Sequence, residues 1–149
     1  MGSTLFSTTG NPVIIGHRGA AGYAPANSLE ALRKAATGDG PARSDAVEID
    51  LRVTSDGELV VIHDAHLTDG SEVVALPASR VRAISTRLGE PVSTLIEALD
   101  AAPGVVICVE VKALPPGRDD ALLQALESVP RARRHIHAFD HRIIARLHA

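Results

Sequence analysis

"AVEIDLRVTSDGELVVIHD", residues 46–64, decides how the chain folds. Its first half alternates as an extended strand does, since successive strand side chains point to opposite faces. Val47, Ile49, Leu51 and Val53 lie on one face; Glu48, Asp50 and Arg52 lie on the other. The second half, Glu58 to Asp64, is an apolar run ending in His63-Asp64. Residues 54–58 separate the two runs, and parallel neighbours need a crossover of about a dozen residues or more. The second run is therefore expected to turn back antiparallel, as a hairpin through Asp56-Gly57. With the turn centred on those two residues, counting sets residue 63 opposite residue 50.

Around this hairpin, "PVIIGHRG" (12–19) reads as a first strand closed by glycine. "NSLEALRKAA" (27–36) reads as a helix capped by Asn27 or Ser28, with Leu29, Ala31, Leu32, Ala35 and Ala36 at helical spacing. Later strands are expected in "PGVVICVEVK" (103–112) and "RHIHAF" (134–139), with helical stretches at about 78–85, 93–102, 118–128 and 140–148. Strands alternating with helices predict a parallel sheet covered by helices. Residues 1–11 are polar and expected to be a flexible N-terminus, and 12–149 a single domain.

A length of 149 residues suits one domain but falls short of the ~250 that a full eight-stranded α/β barrel uses. A net charge of −3 supplies no global field for nucleic acid or for a membrane surface, so neither is an expected partner. With 45% hydrophobic and 2% aromatic residues, the core must come from Val, Ile, Leu and Ala. Cys108 is the lone cysteine, which excludes an internal disulfide and a Cys-based zinc site. No apolar run has spanning length and no signal-peptide pattern is present, so a cytoplasmic location is expected.

Carboxylates two apart on a strand sit roughly 7 Å apart, close enough for one cation to bind both. The strand at 105–112 repeats the arrangement, with Cys108, Glu110 and Lys112 on one face. Charge late in an apolar parallel strand falls at the sheet's C-terminal end, where ligands bind. His17 and Arg18 of "GHRG" reach the same rim, and the hairpin brings His63. Three carboxylates suit a hard divalent cation, Mg²⁺ or Ca²⁺. Arg18 and Lys112 suit a phosphate, and two histidines suit a general acid and a general base. Together they describe phosphodiester hydrolysis.

The motifs "GHRGAAGYAPANS", "VEIDLRVTSDGELVVIHDAHLT", "PVSTLIEAL", "VVICVEVK" and "HAFDHRIIARL" resemble the glycerophosphodiester phosphodiesterase family, within the wider phosphatidylinositol phospholipase C-like superfamily. They run in family order over nearly the whole chain, ending at residue 147. The resemblance implies a TIM (β/α)8 barrel with Glu48, Asp50 and Glu110 as metal ligands, His17 and His63 as the acid/base pair, and Arg18 and Lys112 on the phosphate. Asn27 and Asp64 are read as supporting residues. The implied reaction hydrolyses a small-molecule glycerophosphodiester to sn-glycerol 3-phosphate and an alcohol, through attack of the glycerol 2-hydroxyl on phosphorus and a cyclic phosphate.

Departures from the family pattern set further expectations. Ala26 stands where the family has an acidic residue in PENT, and Ala138 where a serine is usual. The matched motifs end after what resembles a fourth βα unit, so a C-terminally incomplete half barrel is expected. Such a half would self-associate or need a partner half, or serve as a non-catalytic metal- and phosphate-binding fragment. His135 and His137 share a strand face and could bind a metal, but locally only Asp140 offers a carboxylate. Cys108 reads as a small core residue.

Overall fold

The structure, a computed structural model, describes residues 10–90 and 92–148. Nine of the eleven residues expected to form a flexible N-terminus, 1–9, lie outside the described residues. Strands β1 (Ile15–His17), β2 (Ala46–Val53), β3 (Leu59–Val61), β4 (Ser93–Thr94), β5 (Val106–Val111) and β6 (Arg134–His137) form one sheet. Between and after them run α1 (Leu29–Thr37), α2 (Ala78–Leu88), α3 (Leu95–Ala101), α4 (Asp119–Ala125) and α5 (His141–His148).

β2 organises the sheet. β5 runs parallel along one of its edges from Ala46 to Leu51, and β6 runs parallel to β5. The other edge is shared end to end: β1 pairs in parallel with Ala46–Glu48, and β3 pairs antiparallel with Leu51–Val53. β4 extends the hairpin by pairing with β3. This two-residue strand was expected as the start of a helix. It is short because Thr94 is already the N-cap of α3, closing a reciprocal box with Glu97.

The hairpin register differs by one residue from the counted one. Leu51 faces Val61, and Ile62 N–H donates to the Asp50 carbonyl at 3.0 Å, so residue 62 rather than 63 stands opposite Asp50. The cause is the position of Gly57. Gly57 N–H closes a turn onto the Thr54 carbonyl at 3.0 Å, which centres the turn on Ser55-Asp56. Gly57 then follows in the left-handed region at φ 88°, before Thr54 N–H pairs with the Glu58 carbonyl. A turn followed by a left-handed glycine is the bulged hairpin loop, and it moves the pairing by one.

The apolar face of β2 and β5 packs against Leu32, Ala35 and Ala36 of α1, Leu95 and Leu99 of α3, Leu122 of α4 and Ile143 of α5. These buried aliphatic side chains supply the driving force that an aromatic-poor chain must draw from branched residues. Val60, Leu67, Val73, Val81 and Val92 make a second, smaller cluster where α2 covers the hairpin excursion. Among the described residues, no helix is long and apolar enough to cross a membrane.

Candidate active site

The parallel register places polar side chains of neighbouring strands in rows. One row runs His17, Glu48, Cys108, His135; the next, nearer the strand ends, runs Asp50, Glu110, His137. Glu48, Asp50 and Glu110 are all buried, Asp50 completely. Uncompensated buried carboxylates repel one another and lose hydration, so their partners decide whether the arrangement survives.

Asp50 collects most of the compensation. Asn27 Nδ2 donates to its Oδ2 at 2.9 Å, and Asp50 N–H donates back to Asn27 Oδ1 at 3.3 Å. Arg18 Nε lies 3.1 Å from Oδ2 and Lys112 Nζ lies 3.2 Å from Oδ1. These two are ion contacts without hydrogen-bond alignment, and Arg18 Nε and Asp50 Oδ1 have no hydrogen-bond partner among the described residues. Lys112 also donates to Glu110 Oε1 at 2.6 Å. Burial works to lower the Lys112 pKa, but the neighbouring Glu110 and Asp50 carboxylates together raise it, so the ammonium stays charged.

Glu48 is compensated least. Arg18 N–H donates to its Oε2 at 3.0 Å, and His17 Nε2 lies 3.8 Å from the same oxygen. Its Oε1 is buried with no hydrogen-bond partner among the described residues. Burial, and then the charge of Asp50, raise the Glu48 pKa against the opposing pull of the Arg18 N–H and His17. One ligand atom each of Glu48, Glu110 and His137 lie within 4.8 Å of one another. An orphaned buried carboxylate oxygen beside a second carboxylate and an imidazole fits a divalent cation.

The loop after β1 wraps over this cluster. Gly19, at φ 78°, is required there, because a Cβ would sit 2.7 Å from the Ala31 carbonyl carbon of α1. Arg18 and Asn27 both take left-handed backbone, at φ 58° and 61°, which non-glycine residues adopt mainly where the surroundings compel it. Asn27 N–H donates to the Arg18 carbonyl at 2.9 Å, tying the two strained residues together. Ser28 Oγ caps α1 through Ala31 N–H at 3.1 Å, which leaves the Asn27 side chain free for Asp50.

His63 lies beyond the end of β3. Its Nδ1 is 2.7 Å from Asp64 Oδ1, and that bond holds the Asp64 pKa below the usual carboxylate range despite some burial. Arg52 Nε donates to the His63 carbonyl at 2.8 Å. Arg52 was visible in the sequence as the third polar residue on the Glu48–Asp50 face, but its hold on His63 depends on the hairpin register. His63 lines a cleft of about 680 Å³ together with Arg18, Ala26, Asn27, Thr68 and Glu90. Phe139, 91% exposed, stands at the rim with Lys112 Nζ 6.0 Å from its ring centre. Burial, then the Glu48 charge, push the Cys108 thiol up to about 11, so it is not a thiolate nucleophile.

Comparison with known proteins matches this geometry to a family. A glycerophosphodiester phosphodiesterase of Haemophilus influenzae is 49% identical over 63 residues, 42% of this chain and 16% of that protein. The crystal structure of a glycerophosphodiester phosphodiesterase from Thermotoga maritima superposes with a TM-score of 0.71 at 26% identity, covering 93% of this chain and 59% of its own. An Oleispira antarctica phosphodiesterase in complex with the product sn-glycerol-3-phosphate gives 0.74 at 25% identity, covering 90% of this chain and 60% of its own. The chain thus spans less than two thirds of each of these relatives. The sequence profile of the glycerophosphoryl diester phosphodiesterase family matches residues 17–140, which takes in the carboxylate rows, the strained loop and the hairpin, and the chain belongs to that family.

Proposed function

We propose that this chain carries the catalytic rim of an enzyme that hydrolyses glycerophosphodiesters to sn-glycerol 3-phosphate and an alcohol. The observation that carries the reading is the buried Glu48 carboxylate, one oxygen unpartnered, beside Glu110 at the C-terminal end of parallel strands in a chain of this family. Glu48, Asp50 and Glu110 would hold a divalent cation. When bound, that ion supplies Lewis-acid polarisation of a phosphoryl oxygen. Arg18 and Lys112, which lie against Asp50, turn to the substrate phosphate as charge-assisted donors.

His17 and His63 form the acid/base pair. Asp64 occupies Nδ1 of His63 and so leaves Nε2 to take or give the proton. His17 Nε2 is accessible to solvent, 3.8 Å from a Glu48 oxygen, and so is placed to exchange a proton with the reacting groups. The cleft lined by Arg18, Asn27 and His63 gives the alcohol group its exit.

The test is hydrolysis of glycerophosphocholine and glycerophosphoethanolamine with Mg²⁺, Ca²⁺, Mn²⁺ or chelator. Cation-dependent turnover is expected, with His17→Ala and His63→Ala each losing about 10²–10⁴-fold while still binding the ion. No turnover with any cation at any protein concentration sinks the enzyme reading.

One observation favours a second reading, in which the rim binds metal and phosphate but needs a partner half barrel, such as another copy of this chain, for turnover. Among the described residues, the outer edges of β1 and β6 pair with no further strand. Activity per molecule that rises with concentration, alongside a rising solution mass, is the signature of that case.

A further inference from the structure

We infer that His137 is a nitrogen ligand of the cation site, and that the Glu48–Glu110–His137 set takes a late first-row transition ion, Co²⁺ or Zn²⁺, in preference to Mg²⁺ or Ca²⁺. The inference rests on the cation site of the proposed function and changes what that site selects.

The placement of His137 follows from the sheet. β6 runs parallel to β5 with His137 directly opposite Glu110, so both side chains leave the same face at adjacent positions. Glu48 reaches the same point from β2, and one ligand atom from each residue falls within 4.8 Å of the other two. Donors bonded to one ion at about 2.0–2.2 Å stand no more than about 4.4 Å apart, so the three side chains must draw slightly closer to share one.

Two further observations point the same way. Glu48 is 7% exposed and its Oε1 has no hydrogen-bond partner among the described residues, so a buried acceptor waits in the cluster. Asp50, the third carboxylate, is already engaged by Asn27, Arg18 and Lys112 and lies outside the group of three. His137 thereby adds an imidazole nitrogen to a set that is otherwise carboxylate oxygen, and Asp50 joins it only by giving up its Arg18 and Lys112 contacts. All-oxygen sets suit Mg²⁺ and Ca²⁺, whereas imidazole adds affinity for the later first-row ions. Lys112, bonded to Glu110, already supplies one positive charge to the cluster, so the nitrogen's directional bond rather than extra anionic charge must set the preference.

The experiment titrates chelator-treated protein with Co²⁺, following the visible absorption band and the hyperfine-shifted imidazole N–H resonances, and competes it with Zn²⁺, Mg²⁺ and Ca²⁺. Wild type should show one shifted N–H signal and should release Co²⁺ to Zn²⁺ but not to equimolar Mg²⁺ or Ca²⁺. His137→Ala should lose the signal and weaken Co²⁺ and Zn²⁺ binding by at least the ~10–100-fold that even outer partners of metal ligands carry, with Mg²⁺ affinity little changed. His137→Gln should behave alike, and an unchanged thermal midpoint in either variant separates ligand loss from misfolding. A shifted signal that survives His137→Ala and disappears in His17→Ala overturns the assignment. So does a wild-type preference for Mg²⁺ or Ca²⁺, which leaves the cation-site reading intact. Failure of every divalent ion to bind removes both.

Discussion

Asn27 and Asp50 hold each other by two reciprocal hydrogen bonds, side chain to side chain at 2.9 Å and backbone N–H to side chain at 3.3 Å. Removing the amide takes the side-chain hydrogen bond from a fully buried carboxylate and leaves it only the Arg18 and Lys112 ion contacts. Asn27→Ala should therefore destabilise the protein by about 1–3 kcal/mol, the cost of leaving a buried polar group unsatisfied. It should also add about 1–2 kcal/mol for an alanine in left-handed backbone, so Asn27→Gly, free of that strain, should be the milder variant. Urea unfolding of the three proteins measures both quantities.

Arg52 touches His63 only through its carbonyl, at 2.8 Å, yet that bond fixes where the chain goes after β3. Arg52→Met should lower turnover by about 10–100-fold, the scale expected when a reacting group is displaced by an ångström. Cation affinity should change far less than turnover, because Arg52 bonds to the His63 carbonyl and, among the described residues, makes no hydrogen bond to Glu48, Asp50 or Glu110. Parallel kinetics and metal titration of this variant check the separation.

Gly19 has neither steric nor conformational room for a side chain, since a Cβ meets α1 backbone at 2.7 Å and φ is 78°. Gly19→Ala should cost about 2–5 kcal/mol, combining overpacking of about 1–3 with left-handed strain of about 1–2. A lowered thermal midpoint is the expected reading. A neutral result means that the loop and α1 can part without loss.

Asp140 accepts bonds from Arg142 N–H, Nε and Nη2, and these hold its pKa down to about 2 from 3.8. A depressed carboxyl stabilises the fold fully above its unfolded value and loses that contribution as pH falls through the folded one. The stability gap between wild type and Asp140→Asn should stay constant above pH ~4 and close towards pH ~2. Chemical denaturation across that window tests it.

Much of this arrangement was legible in the sequence because strand alternation is local. The facing of Glu48 and Asp50, the hairpin, and the strand–helix alternation all follow from spacing within a few residues. The hairpin register did not, because an Asp-Gly pair can sit at the centre of a turn or just beyond it, and only the hydrogen bonds decide. Nor could spacing choose between Asn27 and Ser28 as the helix cap; the choice depends on Asp50, which lies 23 residues away. His137 was seen with one local carboxylate, Asp140, whereas its neighbours Glu48 and Glu110 arrive from two other strands. β4 escaped because two residues carry no period at all.

Three strands fix the register of β2 at once, two of them end to end on a single edge. One added or deleted residue inside β2 would turn Glu48 or Asp50 into the aliphatic layer, and no neighbour could slide to compensate. The excursion from Asp64 to Ala78 has no such lock, since it packs as its own small cluster against α2. Length variation in proteins built on this plan should therefore collect in that excursion. There the cleft wall at His66, Leu67 and Thr68 can be rebuilt while the carboxylate rows stay where they are.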